Sequence, residues 1–209
     1  MILDATNEVT RPEGNAPLNP ALLIGHAVHH TVGSNAVQDE AGERATIRAI
    51  DAQHVTLGFG GFGYHNIVFP SGRAYHCGEG QRAHVAKRNH ELRGTVLSGT
   101  FTDVQPGEAQ LQGLREVLLR EMATKPVEIR GHREWALPGQ GTACPGVVVP
   151  RDWQAFLQDA AHFTRLNIMG DIGVLTWSDG REWHLIFRDQ EWAGSSTGRL
   201  TYAAQIAPP

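Results

Sequence analysis

Three features of this sequence predict an α/β (α+β) fold, a central mixed β-sheet flanked by helices, with a small C-terminal β appendage. Short apolar or alternating runs at 22–30, 64–77, 95–101 and 127–130 read as strands. Stretches of helical period lie between them, at 40–54 and after Pro106. Interleaving of this kind buries a sheet between helices. Beyond residue 165 the pattern changes to alternating runs joined by tight turns.

Taken in order, residues 1–20 read as an irregular leader rich in Pro and Asn. Leu22 to His30 is an apolar run short enough for a buried strand and ends in a pair of histidines. Glu40 to His54 is helical in period, with Ile47, Ile50 and His54 on one stripe. Six residues from Gly58 to Gly63 form a glycine-rich loop. Tyr64–Phe69, the Ser71-Gly72 turn and Arg73–Cys77 predict a hairpin. Thr95–Phe101 is the next strand. Leu111, Leu114, Val117, Leu118 and Met122 mark the clearest helix, and Val127–Arg130 a short strand after it. A long loop is expected from Gly131 to Pro150, then a helix from about Arg151 that buries Trp153, Phe156, Leu157, Ala160 and Phe163. The sequence divides into the leader (1–20), a main domain (21–165) and the appendage (166–209). In the appendage, Ile172–Trp177 and Arg181–Phe187 flank Ser178-Asp179-Gly180 as a hairpin, and Leu200–Ile206 adds a third strand.

A chain of 209 residues can bury a real core. Its net charge of −4 and the lack of a dense Lys/Arg stripe argue against nucleic acid as a partner. No apolar run approaches the roughly 20 residues of a transmembrane helix. Cys77 and Cys144 are too few for a disulfide framework, and packing is the default for Cys77. Gly58, Gly60 and Gly63 match the spacing of a dinucleotide fingerprint, but here a helix precedes the motif and a strand follows, the reverse of what that motif needs.

Eleven histidines are unusual, and spacing selects among them. His29 closes a predicted buried strand, His132 follows the short strand, and Cys144 closes the long loop before Pro145-Gly146. Neighbours on a strand point to opposite faces, so the pair His29-His30 can give one metal ligand plus one supporting or core residue. Two imidazoles and a thiolate with one corner free for water form the catalytic rather than the structural zinc pattern. Read singly, a strand-end His is as well a hydrogen-bonded core residue, and a lone Cys is buried packing.

Several segments occur in a telling order: Ala27-Val28-His29-His30-Thr31, then Thr46-Ile47-Arg48-Ala49-Ile50 leading to His54, then Gly63-Tyr64-His65. Gly131-His132-Arg133-Glu134 and Ala143-Cys144-Pro145-Gly146 complete the set. Over residues 20–165 it resembles the type 2 N-acetylmuramoyl-L-alanine amidases, phage lysozyme-type enzymes included, and the peptidoglycan recognition proteins. The resemblance implies a mixed sheet with one Zn2+ per chain at the floor of a groove. It places the ligands on His29, His132 and Cys144 and the active-site tyrosine on Tyr64. Thr142 falls where relatives carry a Lys or Thr near the reacting carbonyl, and His84 where they have a histidine lining the substrate groove. His30 and Glu134 are candidates to orient the ligand imidazoles by hydrogen bonding; read singly, they are as well a core histidine and a surface glutamate. Two departures stand out. The stretch before the tyrosine is glycine-rich where relatives bear Trp, and the interval from His132 to Cys144 exceeds that of the phage enzymes.

The implied activity is hydrolysis of the amide between N-acetylmuramic acid and L-alanine, with cell-wall lysis of the endolysin kind. Peptidoglycan or muropeptides are the implied partners. Zinc would acidify a water and polarise the lactyl carbonyl, Tyr64 would donate to the oxyanion, and Thr142 would add a weaker bond. The rival functions are a non-catalytic recognition protein, a cytosolic amidase recycling muropeptides, and a zinc-stabilised structural protein. Residues 1–20 have neither a basic start nor an apolar segment, so no signal peptide is expected. A protein made in the cytoplasm would then act on the wall after release, or after export by a non-classical route. In the appendage Trp177, Trp183 and Trp192 suit either a small core or a sugar-binding face. Three Arg against five Asp/Glu there offer no attraction to anionic wall polymers.

Overall fold

The computed structural model describes residues 2–146 and the strand segments 163–169, 172–177, 182–188, 191–196 and 199–204. Two compact units divide the chain, Met1–Leu157 and Gln158–Pro209.

In the first unit the described elements run β1 (Ile2–Asp4), β2 (Gly25–His30), α1 (Glu40–Thr56), β3 (Asn66–Val68), β4 (Ala74–His76), β5 (Leu92–Leu97), α2 (Glu108–Thr124), β6 (Glu128–Gly131) and α3 (His132–Trp135). The six strands make one sheet in the order β1-β4-β3-β5-β2-β6. The hairpin β3–β4 is antiparallel and every other pairing is parallel. The mixed sheet expected from the sequence is thus present.

Adjacent residues on the strands feed opposite cores, as the pleat requires. Val68, Ala74 and Leu97 pack with Leu114, Val117 and Leu118 of α2. Their neighbours Ile67, Tyr75 and Val96 pack with Ile47 of α1. Strand β2 is buried at all six positions, because it pairs with β5 and β6 and is covered on both faces. Polar ties fix the two helices. The fully buried Glu43 carboxylate of α1 accepts from Tyr75 Oη at 2.7 Å and Arg73 Nε at 2.6 Å. The Gln110 amide of α2 donates to the carbonyls of Val68 and Ser98 at 2.8 and 2.9 Å.

Four local expectations need correction. The leader is not irregular throughout: Ile2–Asp4 adds an edge strand beside β4. The buried Arg82 guanidinium then donates to the carbonyls of Arg11, Pro12, Phe62 and Cys77, tying the leader to the glycine-rich loop. A three-residue strand is too short to show a period, which hid it. The strand expected at Thr95–Phe101 spans Leu92–Leu97. The long loop after Gly131 opens with a helical turn, His132–Trp135. The helix expected from Arg151 lies outside the described residues, but Phe163, assigned to it, begins a strand.

The second unit is a five-stranded antiparallel meander of β7 (Phe163–Met169), β8 (Ile172–Trp177), β9 (Glu182–Arg188), β10 (Glu191–Ser196) and β11 (Arg199–Ala204). The Asp-Gly hairpin corresponds to β8–β9 and the expected third strand to β11, while β7 and β10 escaped the sequence reading.

Gly25 links the fold to the site. A Cβ there would lie 2.2 Å from Trp135 Cζ2, and the Trp135 indole donates to His26 O at 3.1 Å. Trp135 closes the turn that begins with His132, so a displaced indole disturbs that histidine. Gly25→Ala is expected to cost about 1–3 kcal/mol by overpacking. The melting temperature should fall by several degrees in a thermal scan.

Candidate metal centre

Parallel pairing carries β2 and β6 to the same end of the sheet, with Val28 opposite Gly131. His29 lies one residue beyond Val28, and His132 one residue beyond Gly131. The two imidazoles meet with ring centroids 4.6 Å apart. Cys144 is brought in by its own backbone: its carbonyl accepts from Arg133 N at 2.8 Å, and its N–H donates to Thr142 Oγ1 at 3.1 Å. The Arg133 guanidinium also donates to Gly146 O. Gly131 permits the close approach, since a Cβ there would sit 2.7 Å from Pro145 Cδ. The length of the interval from His132 to Cys144 therefore does not separate its ends.

Donor atoms of His29, His132 and Cys144 all lie within 4.8 Å of one another, a set that can hold one metal ion. His29 Nδ1 is 3.8 Å from Cys144 Sγ. Zn–N near 2.0–2.1 Å and Zn–S near 2.3 Å at tetrahedral angles put nitrogen and sulfur about 3.6 Å apart, so the spacing fits zinc. Burial, and after it the neighbouring imidazoles of His84 and His132, hold His29 well below the ordinary imidazole range. Burial, then His30, lowers His132 as well. Both rings are neutral at pH 7, the form that ligates. The Cys144 thiol is pushed up to about 11 by burial, against the opposing pull of the His30 N–H and the Arg133 charge.

Tyr64 stands beside this cluster, its ring centroid 5.1 Å from that of His29. Burial, and then Cys144, raise its phenol well above the usual value, so it keeps its proton and can donate. Its backbone is held from both sides. Gly63 N donates to His54 Nδ1 at 2.9 Å, and His65 N donates to Gly94 O at 2.9 Å. The His65 ring is itself pinned, accepting from Gly94 N at 2.9 Å and donating from Nε2 to Gly80 O at 2.7 Å. The buried Asp51 accepts from Phe62 N at 2.7 Å and steadies the glycine-rich loop. These supports by His54, His65 and Asp51 were missed in the sequence. His54 and His65 stood in the segments that carry the resemblance, but nothing in the sequence gave them these roles.

Three supporting roles differ from expectation. His84, expected in the lining of a groove, is buried and lies behind His29, its Nδ1 3.1 Å from His29 Nε2. The His30 imidazole turns to the opposite face, as strand alternation demands, and accepts from Phe101 N at 3.3 Å. Its backbone N–H is what reaches the site, donating to Cys144 Sγ at 3.4 Å. Glu134 touches no imidazole; its carboxylate accepts from Gly131 N and pairs with Arg133 Nε at 3.0 Å, which steadies the turn bearing His132. Thr142 is half-buried and spends its hydroxyl oxygen on the Cys144 N–H.

Residues 24–147 match the family model of N-acetylmuramoyl-L-alanine amidase, Amidase_2. The chain belongs to that family. A search of curated proteins finds no match. Solved structures of the same fold are found among both the amidases and the peptidoglycan recognition proteins. PGRP-SA of the honeybee Apis mellifera has a TM-score of 0.62 at 17% identity, covering 71% of this chain and 92% of that one. Human PGRP-IBETAC, solved in complex with glycosamyl muramyl pentapeptide, gives 0.61 at 21%, covering 71% and 91%. The N-acetylmuramoyl-L-alanine amidase LysC from Clostridium intestinale URNW gives 0.57 at 20%, covering 76% and 96%. This amidase-family domain has no helix among the described residues long and apolar enough to cross a membrane.

Proposed function

We propose that this chain is a zinc-dependent amidase that hydrolyses the bond between the lactyl carbonyl of N-acetylmuramic acid and the nitrogen of L-alanine in peptidoglycan. The observation that carries this reading is the convergence of His29, His132 and Cys144 within 4.8 Å, beside the protonated phenol of Tyr64. A recognition protein needs no such set of three donors, whereas a zinc hydrolase does. When bound, zinc supplies Lewis acidity toward the carbonyl and an acidified water as nucleophile.

The chain's own groups do the rest. His29, His132 and Cys144 would hold the ion. Tyr64 donates its phenolic hydrogen to the oxygen on which charge develops as water adds to the carbonyl carbon. The C–N bond then breaks, leaving a lactyl carboxylate, and the alanine nitrogen takes up the two protons that the attacking water gives up. Thr142 shapes the loop that presents Cys144 and offers at most a weak second contact to the same oxygen. Wall lysis of the endolysin kind is the biological setting that this chemistry suits.

Purified protein incubated with intact sacculi, and separately with soluble muropeptides, tests the proposal by mass spectrometry. New lactyl carboxylates with free L-alanine amines are expected from sacculi, abolished by a chelator and restored by zinc. Binding to sacculi without new amine ends would make this chain a recognition protein. Cleavage confined to soluble muropeptides would make it a recycling amidase.

A further inference from the structure

We propose that His84 fixes the tautomer of His29, and thereby presents the Nδ1 atom of His29, rather than Nε2, to the metal. The proposal rests on the reading of His29 as a metal ligand, and deepens it by naming the residue that prepares it.

The argument is one of proton counting along a chain of three groups. The carbonyl oxygen of Leu92 can only accept, and His84 Nε2 lies 3.2 Å from it, so that nitrogen carries a hydrogen. A neutral imidazole has one, which leaves His84 Nδ1 bare. That bare nitrogen lies 3.1 Å from His29 Nε2, so the hydrogen between them belongs to His29. His29 Nδ1 is then bare in turn, and it is the atom facing Cys144 Sγ at 3.8 Å. Both ring nitrogens of His84 are thus engaged, and its hydrogen-bond partners among the described residues include no carboxylate to favour a charged ring.

Three features keep His84 in this place. Gly94 makes room, because a Cβ there would stand 2.8 Å from His84 Nδ1 and 3.0 Å from its Cε1. The Asn89 side-chain oxygen accepts from the backbone N–H of His84 at 3.1 Å and of Val85 at 3.0 Å, fixing the loop that bears the ring. The ring itself is buried. His84 is therefore a positioning residue: it acts through His29. A hydrogen bond to the remote nitrogen of a ligating imidazole fixes ring orientation and raises its basicity, and its loss typically lowers metal affinity by about 10- to 100-fold.

The test uses the whole protein in two states. In the metal-free protein labelled with 15N, a scalar coupling between His29 Nε2 and His84 Nδ1 across the N–H···N bond is expected, with His29 as a single tautomer protonated at Nε2. His84→Phe should abolish the coupling and weaken zinc binding about 10- to 100-fold in a competition assay, and His84→Gln, which restores an acceptor, should recover most of the affinity. Gly94→Ala should displace the ring and weaken zinc binding in the same direction. Absence of the coupling in the wild-type protein, or wild-type zinc affinity in His84→Phe, overturns the proposal. Failure of the underlying reading looks different: the wild-type protein would take up no zinc while the coupling is still seen.

Discussion

Replacing Cys144 by alanine is expected to weaken zinc binding by roughly 10²–10³-fold and to reduce amide cleavage to background at limiting zinc. A structural zinc site contributes about 10–16 kcal/mol, and divided among three or four donors that is roughly 2.5–5 kcal/mol for each. The substitution removes one donor and little else. Among the described residues Cys144 Sγ has the long bond from His30 N and the 3.8 Å contact with His29 Nδ1, and the loop's close approach to α3 is held by backbone and by Arg133. The fold should therefore survive, as circular dichroism would show. Elemental analysis after dialysis should find well under one zinc per chain. One full equivalent with unchanged affinity would remove Cys144 from the ligand set.

Tyr64→Phe separates chemistry from metal binding. The ring packs against His29, His54 and Phe62 at centroid distances of 5.1, 5.7 and 5.7 Å, and phenylalanine keeps those contacts. Only the hydroxyl goes. A donor aimed at a developing oxyanion is worth about 3 kcal/mol, so kcat should drop by about 100-fold with KM and zinc content little changed. A kcat within about twofold of wild type would mean that the phenol does not touch the reacting oxygen. The high pKa of Tyr64, set by its burial, implies that this donor is retained through neutral and moderately alkaline pH.

Strong local periods made much of the fold legible. Ile47 in α1 and the stripe of Leu114, Val117 and Leu118 in α2 have their expected core places. The Ser71-Gly72 turn between alternating residues specified the β3–β4 hairpin. Failures cluster where local rules give way to the site. Strand β5 begins at Leu92, but Arg93 and Gly94 disguise its start, and Gly94 is there because the His84 ring lies against it. His84 has no periodic context, so its burial could not be read from its neighbours; it follows from Gly94, Asn89 and the Leu92 carbonyl, which meet only in three dimensions. His30 and Glu134 were assigned to ligand support by proximity in sequence. Strand alternation sends the His30 ring away, and the geometry of the turn directs Glu134 to Gly131 N instead of to an imidazole. The three donors stood out in the sequence because each lies at the edge of an element: His29 at a strand end, His132 just after a strand, and Cys144 at the close of a loop.

Zinc K-edge X-ray absorption of the reconstituted protein is the most direct measurement of the central claim. The account predicts one zinc per chain with a single sulfur near 2.3 Å and nitrogen or oxygen neighbours near 2.0–2.1 Å. The sulfur shell should vanish in Cys144→Ala, and one nitrogen contribution should vanish in His29→Ala. A zinc site with no sulfur neighbour, or one unchanged by either substitution, would contradict it.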